Sequence, residues 1–151
     1  MILSPERASI DRITDWVWMG SRVASLDDYH RLRALGVRAC VDMKREGADP
    51  WTFDAFLWLP TPDHEAPSLA HLLLGLDFLK RCEEAHLPVF VACLAGIGRS
   101  SALVLAHLLA GRFHEEGLEP ALDFLRARRP TARPNRAQVS AAVEVARSYC
   151  A

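Results

Sequence analysis

Two residues with distinct chemistry, a cysteine and an arginine, flank a short segment that contains two glycines. Cys93 follows the β-branched and aromatic run 89–92, and Arg99 precedes a segment rich in alanine and leucine. The run before the cysteine is typical of a buried strand, and the segment after the arginine is typical of a helix. Gly96 and Gly98 lie between them and allow the backbone to curl with its N–H groups pointing inward.

This arrangement predicts a loop that binds an anion and holds a reactive thiolate. Curled backbone N–H groups bind an anion, and a helix N-terminus adds the positive end of its dipole. The guanidinium of Arg99 presents a planar fork of donors that matches two phosphoryl oxygens. The same surroundings favour a thiolate at Cys93, which would be a nucleophile without an adjacent base. The pattern therefore predicts a cysteine-dependent phosphatase.

Each of these residues alone has a simpler explanation. A cysteine at the end of an apolar strand is most often a small buried residue. An arginine at a helix start is usually a surface charge, and Gly-x-Gly occurs in many turns. The catalytic interpretation is favoured because the motif and its predicted strand and helix agree.

Asp63 is the candidate acid. A phosphate ester needs its leaving oxygen protonated unless that oxygen leaves as a stable anion. Asp63 follows the predicted strand end 58–59 and two prolines, so it lies on a loop beyond a strand, where catalytic groups often lie. The residues alone leave an ordinary turn aspartate as an equal alternative. His64 and Glu65 are the neighbouring candidates, and His64 is expected to face solvent.

The segment from Cys93 to Ser100 resembles the Cys-x5-Arg-Ser/Thr signature of the protein tyrosine phosphatase superfamily. Its central residues 95–99 are similar to those of small dual-specificity phosphatases. Other segments resemble, in family order, the opening hairpin, the first long core strand, the general-acid loop and the segment that packs against the phosphate loop. The first three segments are residues 13–21, 35–43 and 60–68, and the last consists of residues 129–130 and 134–138.

The resemblance implies a role for each matching residue and no cofactor or metal ion. Cys93 would attack phosphorus and form a cysteinyl-phosphate, and Arg99 would bind the phosphoryl oxygens. Asp63 would protonate the leaving oxygen and then help to activate water. Ser100 would donate a hydrogen bond to the departing thiolate, and Asn135 would stabilise the phosphate loop. Backbone N–H groups of the loop would bind the oxygens as well, from Leu94, Ala95, Gly96, Ile97, Gly98 and Arg99.

One residue departs from the family pattern beside the nucleophile. Relatives usually have a histidine before the cysteine, which helps to hold the loop and the thiolate, whereas this chain has Ala92. Activity is still expected, with the thiolate stabilised by the helix dipole, the loop N–H groups, Arg99 and Ser100. Ser101 stands where glycine or proline is common, which is a milder change.

The alternation of strands and helices predicts a single α/β domain over residues 1–151, with a mostly parallel sheet and helices on both faces. Its phosphate loop joins a core strand to a helix, at the sheet edge where ligands bind. The predicted strands are 15–21 (strand or hairpin), 37–43, 56–59 and 89–92. The predicted helices are 26–35, 69–85, 100–111, 118–128 and 136–149.

Composition limits the partners that the chain is expected to have. The 151 residues carry a net charge of −1, which favours neither nucleic acid nor an acidic membrane. No apolar run is long enough to cross a bilayer, and the first residues lack the features of a signal peptide. A cytoplasmic monomer is therefore expected. The four cysteines have no metal-binding spacing, and Cys40 is expected to be an inert core residue.

A basic run near the end of the chain is expected to be mostly solvated. Cations at the end of a helix interact favourably with its dipole, which explains such residues without a binding role. Only Arg133 is a candidate contact at the rim of the phosphate site. The run comprises Arg126, Arg128, Arg129, Arg133 and Arg136.

The leading functional hypothesis is a phosphatase for phosphotyrosine, with phosphoserine and phosphothreonine in a protein or peptide as further substrates. A phosphatase for a lipid or small-molecule phosphate ranks lower. Relatives that act on phosphoinositides often have lysines in the loop, whereas Leu94, Ala95 and Ile97 are neutral. A phosphate-binding scaffold without activity is disfavoured because the nucleophile, arginine and acid are all present. A rhodanese-like domain is disfavoured by the cysteine-to-arginine spacing and the acid loop.

Overall fold

The computed structural model describes residues 7–150, which form a five-stranded sheet in the order β1-β2-β5-β3-β4. The strands are β1 (Ile10–Arg12), β2 (Val17–Gly20), β3 (Ala39–Lys44), β4 (Ala55–Thr61) and β5 (Val89–Ala92). The helices are α1 (Leu26–Ala34), α2 (Leu69–Glu84), α3 (Arg99–Ala110), α4 (Leu118–Arg128) and α5 (Arg136–Cys150).

The sheet is parallel except for its first strand, which confirms the predicted mostly parallel sheet. β1 pairs with β2 in the antiparallel direction, as a hairpin. β5 lies at the centre, and its residue Val89 pairs with Val17 of β2 and with Ala39 of β3 in parallel registers. All four residues of β5 are buried, which explains their uniformly apolar character. The carboxyl end of β5 therefore opens at the same sheet edge as those of its neighbours.

Helices cover both faces of the sheet, as predicted. Val41 and Val91 point to one face, where they join a large core cluster with residues of α2, α3, α4 and α5. Cys40 and Phe90 point to the other face and pack with Leu32 of α1. This alternation follows from the period of two in a strand, which sends successive side chains to opposite faces.

Serine caps begin two of the helices, and the predicted starts of both are confirmed. Ser25 accepts a hydrogen bond from the backbone of Asp28 at 3.1 Å, and Ser68 accepts one from His71 at 3.1 Å. A side-chain oxygen at this position satisfies one of the free N–H groups of the first turn.

Three strands differ from their predicted bounds, and the smallest change is in β3, which spans Ala39–Lys44 in place of the predicted 37–43. The predicted strand 15–21 is shorter, and β1 precedes it as the other half of the hairpin. β4 continues past the predicted end at residue 59 and includes Pro60. Proline is tolerated there because β4 is an edge strand, where an N–H group facing away from the sheet has no strand partner to lose.

Burial of His107 is expected to make the stability of the protein dependent on pH. Burial lowers the pKa of His107 from 6.5 to about 4. At His107 the unfolded chain is expected to bind more protons than the folded chain between these values, so the destabilisation that this residue causes is absent above pH 6.5 and grows as the pH drops towards 4. We expect this residue to reduce the free energy of unfolding by up to ~3 kcal/mol across that window. Urea denaturation of wild type and His107→Leu at both ends measures the effect, and an unchanged pH dependence in the variant would contradict it.

Candidate active site

The nucleophile candidate lies where β5 ends, at the base of the phosphate loop (residues 93–99). The Cys93 side chain is buried, with 3% exposure. The backbone N–H of Gly96 donates to its Sγ at 3.2 Å, and Ser100 Oγ lies 3.3 Å from the same sulfur. Two polar groups therefore surround the sulfur, and a thiolate there would accept a hydrogen bond from each.

Gly96 allows the loop to curl tightly. Its φ is +70°, a conformation that other residues rarely adopt. A Cβ at this position would lie 2.5 Å from both the backbone of Gly20 and the guanidinium of Arg129. The predicted need for glycine is thus explained at this position by both the backbone angle and the available space.

Arg99 is held in a fixed orientation beside the nucleophile. Its side chain is 2% exposed, and the carboxylate of Glu46 accepts hydrogen bonds from its Nη1 at 2.7 Å and from its Nη2 at 3.3 Å. The backbone carbonyl of Thr61 also accepts from Nη1, at 2.8 Å. Burial by itself lowers the pKa of Arg99, but the hydrogen bond to Glu46 and the nearby Cys93 raise it, and the net shift is upward. The same hydrogen bond lowers the pKa of Glu46.

One donor of Arg99 has no partner within residues 7–150. Its Nε is buried and makes no hydrogen bond, although Asp63 Oδ1 lies 3.8 Å away. Buried donors are nearly always satisfied, so this one calls for an explanation. A phosphoryl oxygen in the loop would supply the missing acceptor, as the planar fork of a guanidinium predicts.

Asp63 lies on the acid loop (residues 60–68), at the mouth of the same site. Its side chain is 53% exposed, and its Oδ1 accepts a hydrogen bond from the backbone of His64 at 2.9 Å. The side chain of His64 is 79% exposed, in line with its expected position, and its Nε2 lies 3.4 Å from Asp63 Oδ2. A carboxyl group here is free to approach a leaving group that extends from the phosphate loop.

Most of the predicted site residues line one cavity of about 150 Å³, although Gly96 and Ser100 do not. Arg133 also lines this cavity, and its backbone N–H donates to the carbonyl of Ile97 at 2.9 Å. The structure therefore brings together residues that are predicted to act together but lie far apart in the sequence. The predicted residues that line the cavity are Asp63, Cys93, Leu94, Ala95, Ile97, Gly98, Arg99 and Asn135.

Asn135 makes its contact with a different loop from the one expected. Its Nδ2 donates to the backbone carbonyl of His64 at 2.7 Å, and its Oδ1 accepts from the backbone of Gln138 at 2.9 Å. Both bonds of the side chain are thus directed away from the phosphate loop. The expected stabilisation of that loop by Asn135 is replaced by a contact with the acid loop, because the N-terminus of α5 lies beside it.

Arg129 stabilises the phosphate loop instead. It is 1% exposed, so the expectation of a mostly solvated basic run is wrong for this residue. Its Nε donates to the carbonyl of Gly96 at 2.8 Å, and its Nη2 donates to that of Ala95 at 3.2 Å. Its other bonds reach Asp11 and Ser9, both at 2.8 Å. The sequence indicated this role only through the resemblance of Arg129-Pro130 to the family segment that packs against the phosphate loop.

Glu46 is a residue of the site that the sequence did not single out. It lies in a polar loop after β3, where acidic residues are common. Its partner Arg99 is 53 positions away, so no local pattern links the two.

A buried charge network lies beside Ala92, the position where relatives have histidine. Asp42 of β3 is the parallel register partner of Ala92, and it forms an ion pair with Lys44, which also contacts Asp49 at 2.9 Å. Burial is the main cause that raises the pKa of Asp42. Burial likewise raises the pKa of Cys40 well above its usual value, which supports an inert thiol there.

Replacing Arg129 by lysine is expected to lower both stability and activity. Lysine keeps the charge but cannot span the four acceptors of Arg129, so buried carbonyl groups lose their donors. We expect a loss of about 2–4 kcal/mol in the free energy of unfolding and a lower kcat/KM. Urea denaturation and aryl phosphate hydrolysis measure the two effects. Arg126→Lys, at an exposed position of α4, the helix that ends just before Arg129, is the control; equal behaviour of the two variants would contradict the role of Arg129.

The buried thiol, the fixed guanidinium and the facing carboxyl group lie at the carboxyl edge of a mostly parallel sheet, and together they define a cysteine-based phosphatase site. The sequence model of the "Dual specificity phosphatase, catalytic domain" matches residues 17–147. The chain therefore belongs to this family, and the predicted class of enzyme, a protein phosphatase, is confirmed.

Individual relatives agree with this assignment. Dual specificity protein phosphatase 14 of Mus musculus is 28% identical over 137 residues, which cover 89% of this chain and 68% of the relative. Tyrosine-protein phosphatase vhp-1 of Caenorhabditis elegans is 27% identical over 135 residues, which are 87% of this chain but 20% of the relative. The crystal structure of human DUSP28 has a TM-score of 0.81 and 26% identity, with 98% of this chain and 99% of that chain covered.

Proposed function

We propose that this chain removes phosphate from phosphotyrosine, and from phosphoserine and phosphothreonine, through a cysteinyl-phosphate intermediate. The observation that supports it most directly is the unpartnered buried Nε of Arg99, a residue that lines the same cavity as Cys93. A phosphoryl group in the loop would accept from this Nε and place its phosphorus next to the nucleophile. The names of the relatives support proteins as the substrates.

The first chemical step transfers the phosphoryl group to sulfur. The thiolate of Cys93 forms an S–P bond while the P–O bond to the substrate oxygen breaks, and Asp63 gives its proton to that oxygen. Arg99 and the loop N–H groups hold the remaining phosphoryl oxygens, where charge is concentrated in the transition state.

The second step releases inorganic phosphate. Water attacks phosphorus, the carboxylate of Asp63 takes a proton from the water, and the S–P bond breaks. Ser100 Oγ, 3.3 Å from the sulfur, donates a hydrogen bond to the departing thiolate. Asp63 is protonated again at the end of this step, which completes the cycle.

The neutral loop side chains favour an amino-acid phosphate over a polyanionic lipid. Leu94, Ala95 and Ile97 line the cavity, and Ile97 is 36% exposed. These side chains offer apolar contact to an amino-acid side chain and no extra charge for a second phosphate. A lipid or small-molecule phosphate is therefore the less favoured substrate class.

A cytoplasmic monomer is the proposed state of the protein. A nucleophilic thiolate is preserved in a reducing compartment, and the cysteines Cys40, Cys82, Cys93 and Cys150 are all free thiols. No helix within residues 7–150 is long and apolar enough to cross a bilayer.

Hydrolysis assays with excess chelator test the proposal. Wild type is expected to release phosphate from p-nitrophenyl phosphate and from phosphotyrosine and phosphothreonine peptides, because the mechanism uses no metal ion. Activity on the tyrosine peptide alone would restrict the proposal to tyrosine. A folded protein that binds phosphopeptide without turnover would contradict the proposal and indicate a phosphate-binding scaffold.

A further inference from the structure

The N-terminus of α5 contains two amide side chains that bond to each other's backbone. Asn135 Oδ1 accepts from the backbone N–H of Gln138 at 2.9 Å, and Gln138 Oε1 accepts from that of Asn135 at 2.8 Å. This reciprocal pair is a capping box, which satisfies free N–H groups of the first helical turn. The acceptor oxygens alone make these bonds, so each amide retains its NH₂ donors.

Both of the remaining donors bind consecutive carbonyl groups of the acid loop. Asn135 Nδ2 donates to His64 O at 2.7 Å, and Gln138 Nε2 donates to Glu65 O at 3.1 Å. His64 has a φ of +65°, a conformation that a non-glycine residue adopts at a cost and keeps only when its surroundings hold it. The hydrogen bonds from these two amide side chains thus hold the backbone immediately after Asp63.

Gln138 also contacts the phosphate loop. Its side chain is 2% exposed, and a Cβ at Gly98 would lie 2.8 Å from its Oε1 and 2.9 Å from its Nε2. One buried amide therefore lies between the loop that contains Asp63 and the loop that contains Cys93.

We propose that Asn135 and Gln138 are positioning residues that set the distance between the general acid and the phosphoryl group. This inference rests on the proposed function, because it assigns Asp63 as the acid. Proton transfer requires the donor within hydrogen-bond reach of the leaving oxygen, and a small misplacement of a reacting group is costly. Loss of the amide donors would allow the acid loop to relax away from the strained conformation at His64.

Paired substitutions separate this role from helix capping. Asn135→Ser keeps a capping oxygen but removes the donor to His64, whereas Asn135→Ala removes both. Both variants are expected to lower kcat/KM, which reports the first chemical step, about tenfold for phenyl phosphate, whose leaving group needs a proton. Neither is expected to change kcat/KM for 2,4-dinitrophenyl phosphate, whose leaving group needs no proton, and the alanine variant alone is expected to lose about 1 kcal/mol of stability.

The results that would contradict the positioning role differ from those that would contradict the proposed function. A wild-type kcat/KM of Asn135→Ser for phenyl phosphate, or an equal loss of kcat/KM on both substrates, would overturn the positioning role and leave the proposed function intact. Adding Asn135→Ser to Asp63→Asn is expected to cause no further loss of kcat/KM for phenyl phosphate, because Asn135→Ser affects the reaction only through the position of Asp63. Additive losses in the double variant would overturn the inference. Equal effects of Asp63→Asn itself on kcat/KM for both substrates would overturn the acid assignment together with the inference. Absence of hydrolysis in the wild type would overturn the proposed function first.

Discussion

Replacing Cys93 by serine is expected to abolish turnover while the protein remains folded. A serine hydroxyl at this position has no adjacent general base, and it is a far weaker nucleophile than a thiolate. We expect kcat for p-nitrophenyl phosphate to fall by about four orders of magnitude or more, as for the loss of other essential nucleophiles. Phosphate binding is expected to persist, because Arg99 and the loop N–H groups are unchanged.

Cys150→Ser is the matched control for this experiment. Cys150 is exposed and bonds to the carbonyl of Ala110, so its replacement is expected to leave kcat unchanged. Titration with inorganic vanadate or phosphate measures binding in both variants. Residual turnover near the wild-type rate in Cys93→Ser would remove Cys93 from the proposed role of nucleophile.

Replacing Arg99 by lysine is expected to have the next largest effect. The ammonium retains the charge, but it cannot donate to Glu46, to Thr61 and to a phosphoryl oxygen from one planar group. We expect kcat/KM to fall by about 10³-fold, the scale associated with loss of a donor that stabilises charge in the transition state. The loss is expected to appear mainly in kcat, because contacts that strengthen in the transition state act there.

Arg133→Lys is the matched control, since it makes the same chemical change at the rim of the cavity. Its hydrogen bond to Ile97 is made by the backbone N–H, which the substitution does not alter. Steady-state kinetics of the two variants on p-nitrophenyl phosphate provide the comparison. Equal and small losses in both variants would show that Arg99 contributes only charge, contrary to the role assigned to its planar fork.

The elements of the fold followed closely from patterns along the chain. The strand 89–92 and the helix 118–128 have the bounds that the sequence predicted. Short apolar runs, helix caps and glycines act over a few residues, so their effect is visible in the sequence. The predicted strand ended before Pro60, whereas β4 includes it. The position of β4 at an edge of the sheet, where proline is tolerated, depends on the order of the strands.

The contacts that hold the loops in place had no such local signal. Arg99 and Glu46 are 53 positions apart, and Asn135 and His64 are 71 apart. Their pairing depends on where the loops after β3 and β4 cross the ends of β5 and α5. An acidic residue in a polar loop and an asparagine before a helix have many ordinary explanations.

Residues 93–100 specify the nucleophile and the anion-binding loop, because all the groups that form them lie within one strand-to-helix connection. The alternating strands and helices specify the α/β sheet for the same reason, since each element buries its own apolar face. Only the tertiary structure determines which distant side chains hold Arg99, the phosphate loop and the acid loop. A buried guanidinium or amide needs acceptors for its donors, and in this protein distant segments supply many of them.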